Sequence, residues 1–167
     1  ELALTLRRQP GCADVLDDRM IELLAESAPL HDIGKVGIPD RILLKPGPLT
    51  PDEWQVMKTH ASIGAHAIEL AERDTHHSVD FLAVAKQIAQ SHHERWDGSG
   101  YPQGLAGAAI PLSARIMAVA DVFDALISPR VYKNAMGFDE ARRIIDEGVG
   151  GHFDPANRTA NRDLLDD

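Results

Sequence analysis

Residues 50–71 read TPDEWQVMKTHASIGAHAIELA. Thr50 and Glu53 have the spacing of a capping box, in which each side chain serves the other residue's backbone N–H, and Pro51 occupies the first helical position, where a missing N–H costs nothing. From that start Trp54, Met57, Ala61, Gly64, Ile68 and Ala71 recur on one stripe at helical spacing, with His60 on or beside it. The same period runs outward in both directions, and strand-length alternation of polar and apolar residues is hard to find. Residues 2–8 have helical composition. A second helix starts near Asp17 or Asp18, carries Met20, Ile21, Leu23, Leu24 and Ala28 inward, and continues to His31 and Asp32. Residues 38–48 are punctuated by prolines and Gly47 and form a loop with a short turn of helix. A helix over 78–94 lines up Phe81, Ala85 and Ile88 with His92, and sets Ala89 one turn before His93. Residues 95–111 are too rich in glycine for an element, 112–127 form an apolar helix interrupted by Asp121 and Asp124, and about 138–147 form a last amphipathic one. The expected fold is all-α, with a polar tail at 157–167 that is frayed.

Composition narrows the function. The 167 residues fit one domain of ordinary size. A single cysteine, Cys12, excludes an intramolecular disulfide framework and an all-cysteine metal site. No stretch has the length of a membrane span, and the start ELALTLRRQPG lacks a secretory pattern, so a reducing, cytoplasmic setting is expected. With 17 Lys+Arg against 26 Asp+Glu the net charge is −9, which argues against a domain that coats DNA or RNA but leaves room for a small anionic substrate. The 8 histidines stand out, because imidazole is the commonest metal ligand.

Their placement points to metal chemistry. His31 and Asp32 close one apolar helix, His60 lies in a second with Gly64 one turn on, and His92 and His93 close a third. Asp121 interrupts the apolar run IMAVADVF, where a carboxylate needs a cation or several donors. Each feature alone reads as a cap, a core histidine or a surface pair; four helices each turning His or Asp inward do not. Four imidazoles and two carboxylates exceed a tetrahedral zinc site and suit two octahedral metals that share a bridging carboxylate and water. Nitrogen and oxygen donors without thiolate favour Fe, Mn or similar divalent ions. Paired metals are a standard device for phosphoester hydrolysis. DGSGYPQG is no nucleotide loop, since its third glycine falls one residue late and no strand precedes it. His66, His76 and His77 read as surface or turn residues, and His152 as a packing or capping residue.

HDIGKVGIPD at 31–40, His60 with Gly64, HHERWDGSGYPQGL at 92–105, RIMAVADVFDAL at 115–126 and GHFDP at 151–155 together resemble the HD-GYP family, bacterial members of the HD metal-dependent phosphohydrolases that typically act on cyclic di-GMP. The resemblance implies an HD-domain helical bundle with a metal site in its core. It implies two divalent ions on His31, Asp32, His60, His92, His93 and Asp121, with Asp32 as the bridge. A metal-bridging hydroxide would attack phosphorus in line, and Lys35 would stabilise the transition state or protonate the leaving oxygen. Gly100, Tyr101 and Pro102 match the GYP signature, whose loop shapes the substrate pocket, while Arg130 and Lys133 match basic positions that hold substrate phosphates. The implied activity converts cyclic di-GMP to linear pGpG and on to GMP. The alternative is a catalytically impaired module that binds a cyclic dinucleotide or a protein. Implied partners are an upstream receiver or sensory domain, GGDEF-type proteins, or a second copy. Three departures stand out: the upstream helix with its further His ligand is expected to be truncated, Val131 replaces a usual proline, and NRTANRDLL replaces a closing apolar helix.

Overall fold

The computed structural model describes residues 2–9, 12–74, 80–129 and 136–156. The described residues fold into helices α1 (Leu2–Arg7), α2 (Asp18–Ser27), α3 (Asp40–Leu43), α4 (Pro51–Lys58), α5 (His60–Asp74), α6 (Asp80–Ser91), α7 (Leu112–Ile127) and α8 (Phe138–Gly148), with 3-10 turns at Ala28–Leu30, Ile33–Gly37 and Gly107–Ala109. Among the described residues there is no β-strand, only one parallel bridge between Val149 and Phe153. The expected all-α class holds. No helix among them is long and apolar enough to cross a membrane.

The start signals act as read. Asp17 caps α2 by accepting from the Met20 N–H at 2.7 Å, and the Thr50–Glu53 capping box opens α4. The stops differ. The helix expected to run on to Asp32 ends at Ser27, because Pro29 has no N–H to continue it and the chain tightens into a 3-10 turn. The single helix expected from Thr50 breaks at Thr59, whose hydroxyl and N–H both donate to the Val56 carbonyl, at 2.6 and 3.0 Å. Such local bonding competes with the helical ladder. The inward stripe therefore runs only from His60 through Ala61, Gly64 and Ala65 to Ile68. α4 buries no residue, Trp54 is 45% exposed, and Ala71 faces out.

α6 is the central element, packing on α2, α5 and α7. Its Val84 and Ile88 join Leu6, Leu16, Leu23, Leu24 and Ile116 in one core, while Leu82, Ala85 and Ala89 meet Ile68 of α5 in a second. A third, of Val119, Ile145 and Phe153, seats α8 on α7. Each fully buried Leu or Ile contributes about 1.5–3 kcal/mol to holding this frame. The turn Ile33–Gly37 crosses α5 at a close backbone contact: a Cβ on Gly34 would lie 1.9 Å from the His60 carbonyl oxygen and 2.4 Å from the Gly64 nitrogen. Ala at Gly34 would force two backbones apart, so Gly34→Ala is expected to cost at least about 1–3 kcal/mol in chemical denaturation. Gly137→Ala, where nothing lies within 4 Å of the added carbon, should stay within about 0.5 kcal/mol of the parent. Equal midpoints for the two variants would contradict the packing described.

Candidate metal centre

His31 and Asp32 sit between the two 3-10 turns, His60 opens α5, and His92 and His93 follow the end of α6. Their rings are fixed by the backbone just before them. Nδ1 of His31 donates to the Ala28 carbonyl at 2.8 Å, that of His60 to Met57 at 2.7 Å, and that of His92 to Ile88 at 2.9 Å. A carbonyl can only accept, so the neutral ring carries its proton on Nδ1 and turns an Nε2 lone pair away from its own helix.

Those lone pairs converge on Asp32. His60 Nε2 lies 3.5 Å and His92 Nε2 3.9 Å from Asp32 Oδ1. His31 Nε2 lies 3.3 Å from the other oxygen, Oδ2, and 3.7 Å from Asp121 Oδ1. The Lys35 ammonium pairs with the same Oδ2. His93 completes the group, its ring centroid 4.0 Å from that of His92 and 5.0 Å from that of His60. One ligand atom each from Asp32, His60, His92 and His93 all fall within 4.8 Å of one another. His31 and Asp121 flank this cluster on the Oδ2 side.

The donor set fits a cation. Asp32 Oδ1, His60 Nε2 and His92 Nε2 are buried and have no hydrogen-bond partner. Three buried acceptors facing one another cannot satisfy each other, and leaving them so costs free energy that a positive ion removes. Protonation states suit the same role. Burial raises the Asp32 carboxyl, but hydrogen bonds from His31 and Lys35 outweigh it and hold the group well below the usual carboxylate range. Burial pushes His92 down to about 4, and burial together with neighbouring His92 and His60 pushes His93 far down. Both imidazoles are neutral at pH 7, as ligation requires. The hydrogen bond to Asp32 raises His31.

The glycine-rich loop closes one side. A Cβ on Gly100 would lie 2.4 Å from the Arg95 nitrogen and 2.6 Å from the His93 carbonyl oxygen, so only glycine lets the loop fold back on the histidine pair. Tyr101 then donates its N–H to the His93 carbonyl at 3.2 Å and stacks its ring on His93 at 4.8 Å. The following peptide to Pro102 is cis, and Pro102 is exposed. Burial pushes the Tyr101 phenol up, out of ionisation range. GHFDP braces the loop from behind: the Trp96 and Asp97 N–H groups donate to His152 and Gly151 carbonyls at 3.0 and 2.9 Å. Asp154 pairs with Arg115 at 2.6 Å, and that guanidinium lies over the Trp96 ring. His152 stacks on Phe153, the packing place expected for it. His66 is exposed, as expected. Arg130, Lys133, Val131, His76 and His77 lie outside the described residues.

Sequence reasoning missed Glu94. It is 2% exposed and accepts the Gln103 and Leu105 N–H groups at 2.7 and 3.0 Å, pinning the loop just beyond Tyr101. The signal was available: a carboxylate at a helix end, running into a loop whose N–H groups need acceptors. Glu94→Gln keeps the shape but leaves a single acceptor oxygen. It should cost about 1–3 kcal/mol and speed amide exchange at Gln103 and Leu105; unchanged protection there would contradict the anchor. For the metal, chain purified with manganese and desalted should retain the ion by elemental analysis, His60→Ala should lose most of it, and the exposed His66→Ala should keep it. Equal retention in all three would contradict the cluster.

Comparison with known proteins agrees with this picture. Residues 5–156 match the family model described as HD domain. A protein named cyclic di-GMP phosphodiesterase from Vibrio cholerae serotype O1 is 60% identical over 155 residues, covering 93% of this chain and 31% of its own length. The cyclic di-GMP phosphodiesterase response regulator RpfG of Xanthomonas campestris pv. campestris is 50% identical over 84% of this chain and 35% of its own. The chain thus spans about a third of these relatives. Among solved structures, Bd1817, an HDG"Y"P protein from Bdellovibrio bacteriovorus, matches 99% of this chain and 49% of its own with a TM-score of 0.68 at 22% identity, a likeness of fold. With its motifs in order, its helical frame and its buried His and Asp cluster, this chain belongs to the HD domain family.

Proposed function

We propose that this chain is a metal-dependent phosphodiesterase domain that hydrolyses cyclic di-GMP to linear pGpG and on to GMP. The observation that carries the reading is the division of Asp32: Oδ1 faces the buried lone pairs of His60 and His92, while Oδ2 faces His31 and Lys35. One carboxylate so placed suits two cations, the first held by Asp32, His60, His92 and His93, the second by Asp32, His31 and Asp121. Iron or manganese would match these nitrogen and oxygen donors. When bound, such ions acidify the attacking water and neutralise charge developing on the phosphoryl group.

The chain's own groups do the rest. The backbone carbonyls of Ala28, Met57 and Ile88 hold their imidazoles in the tautomer that presents Nε2. Lys35 is part-exposed while still reaching Asp32, so its ammonium can also meet substrate. In hydrolysis a water oxygen bonds to phosphorus and gives up a proton to solvent, the P–O bond to the ribose breaks, and the departing oxygen takes a proton from the Lys35 ammonium, which solvent then restores. Gly100, Tyr101 and Pro102 form a wall of the substrate pocket. Arg130 and Lys133 match the basic positions that hold substrate phosphates and add positive charge to the same clamp. The relatives' names support the substrate class, and the response regulator among them supports an attached receiver or sensory module. Contact with a GGDEF-type protein or a second copy belongs to the same proposal.

Metal-replete chain incubated with cyclic di-GMP should yield pGpG and then GMP by chromatography, and Asp32→Ala should yield neither. Lys35→Gln should keep its metal and lose about 10²–10³ in kcat, the scale for removing one transition-state donor. A metal-replete wild-type chain that binds but never cleaves would favour the non-catalytic binding module instead.

A further inference from the structure

Trp54 belongs to the apolar stripe by periodicity, yet the break at Thr59 swings it out of the core. It is 45% exposed on a helix that buries nothing. It is not loose on the surface, because its indole meets the Tyr101 ring edge to face, at 6.2 Å and 81°. Tyr101 in turn stacks on His93 of the metal cluster, so Trp54 stands one aromatic ring away from the candidate ligands. Lys58, one turn further along the same face of α4, holds its ammonium 5.7 Å from the Tyr101 centroid. Other cations have a carboxylate partner: Lys35 pairs with Asp32, Lys45 with Glu53 and Arg95 with Asp97. Among the described residues no carboxylate pairs with Lys58. An open aromatic surface and an uncompensated ammonium thus share one helix face beside the cluster.

We propose that Trp54 and Lys58, set by Tyr101, form a nucleotide subsite: a purine base of the cyclic dinucleotide stacks on the Trp54 indole, and its non-scissile phosphate pairs with Lys58. Stacking on an aromatic face is open to any base, and a lysine meets a phosphate as a point charge. The inference deepens the phosphodiesterase reading and rests on it for the ligand.

The test is calorimetric binding of cyclic di-GMP to metal-loaded Lys35→Gln chain, in which slow turnover lets the complex persist. Adding Trp54→Ala should raise Kd about 10-fold or more, while Trp54→Phe, which keeps a ring, should stay within about 3-fold. Adding Lys58→Gln should weaken binding several-fold and flatten its salt dependence by about one phosphate contact. Val56→Ala, at an exposed neighbour on α4, should change nothing. Thermal melts of all variants should coincide. Unchanged affinity in either Trp54→Ala or Lys58→Gln, or no binding to the parent, overturns the subsite. Wild-type hydrolysis with unchanged affinity in those variants overturns the subsite alone. Binding that depends on both residues, without hydrolysis by the wild-type chain, overturns the phosphodiesterase reading alone.

Discussion

Gly34 rests on the first turn of α5, where any side chain would overlap the His60 carbonyl and the Gly64 backbone. That contact brings the segment carrying His31 and Asp32 onto the helix start carrying His60, and so decides where Asp32 points. Without it His60 would face His92 and His93 with no carboxylate between them. The cores on either side of α6 then fix the second distance, holding His92 and His93 opposite. A loose surface pair of His and Asp is worth little; the same residues clamped by a backbone crossing and two packed helices form a preorganised donor set.

The electrostatics follow from burial. A protein with a net charge of −9 places at this site a carboxylate kept ionised by His31 and Lys35, and the His92 and His93 imidazoles kept neutral by desolvation. For His92, lowered to about 4, the unfolded chain binds more protons than the folded one between that value and the ordinary imidazole range. The metal-free chain therefore loses stability as pH falls through that window. The rule that acidic proteins repel anionic partners need not hold locally, because bound cations would reverse the sign at the proposed phosphate site.

Much of this was legible in the chain. Caps at Asp17 and Thr50, the apolar period of α6 and the glycine density of residues 95–111 each carry a local physical signal; the caps hold as expected, α6 stops at Ser91 rather than reaching Glu94, and the glycine-rich stretch is a loop holding one short 3-10 turn at Gly107–Ala109. The site residues were legible because imidazoles and carboxylates at inward positions have no cheap bland explanation in number. What escaped was decided by competition between neighbours. Pro29 ended α2 early, and the Thr59 hydroxyl outbid the helical ladder and split one helix into two, which turned Trp54 from an expected core residue into an exposed one. Glu94 escaped because its importance lies in the N–H groups of residues far along the loop, which no periodicity reports. The close approach at Gly34 is likewise invisible until α5 is placed beside it.

In the proposed function Asp32 divides its two oxygens between two cation positions. An anomalous difference map from crystals of the manganese-loaded chain, recorded at the manganese edge, tests it most directly. Two peaks are expected to flank the Asp32 carboxylate, one toward His60, His92 and His93 and the other toward His31 and Asp121. A single peak, or peaks that leave Asp32 uncoordinated, would contradict it.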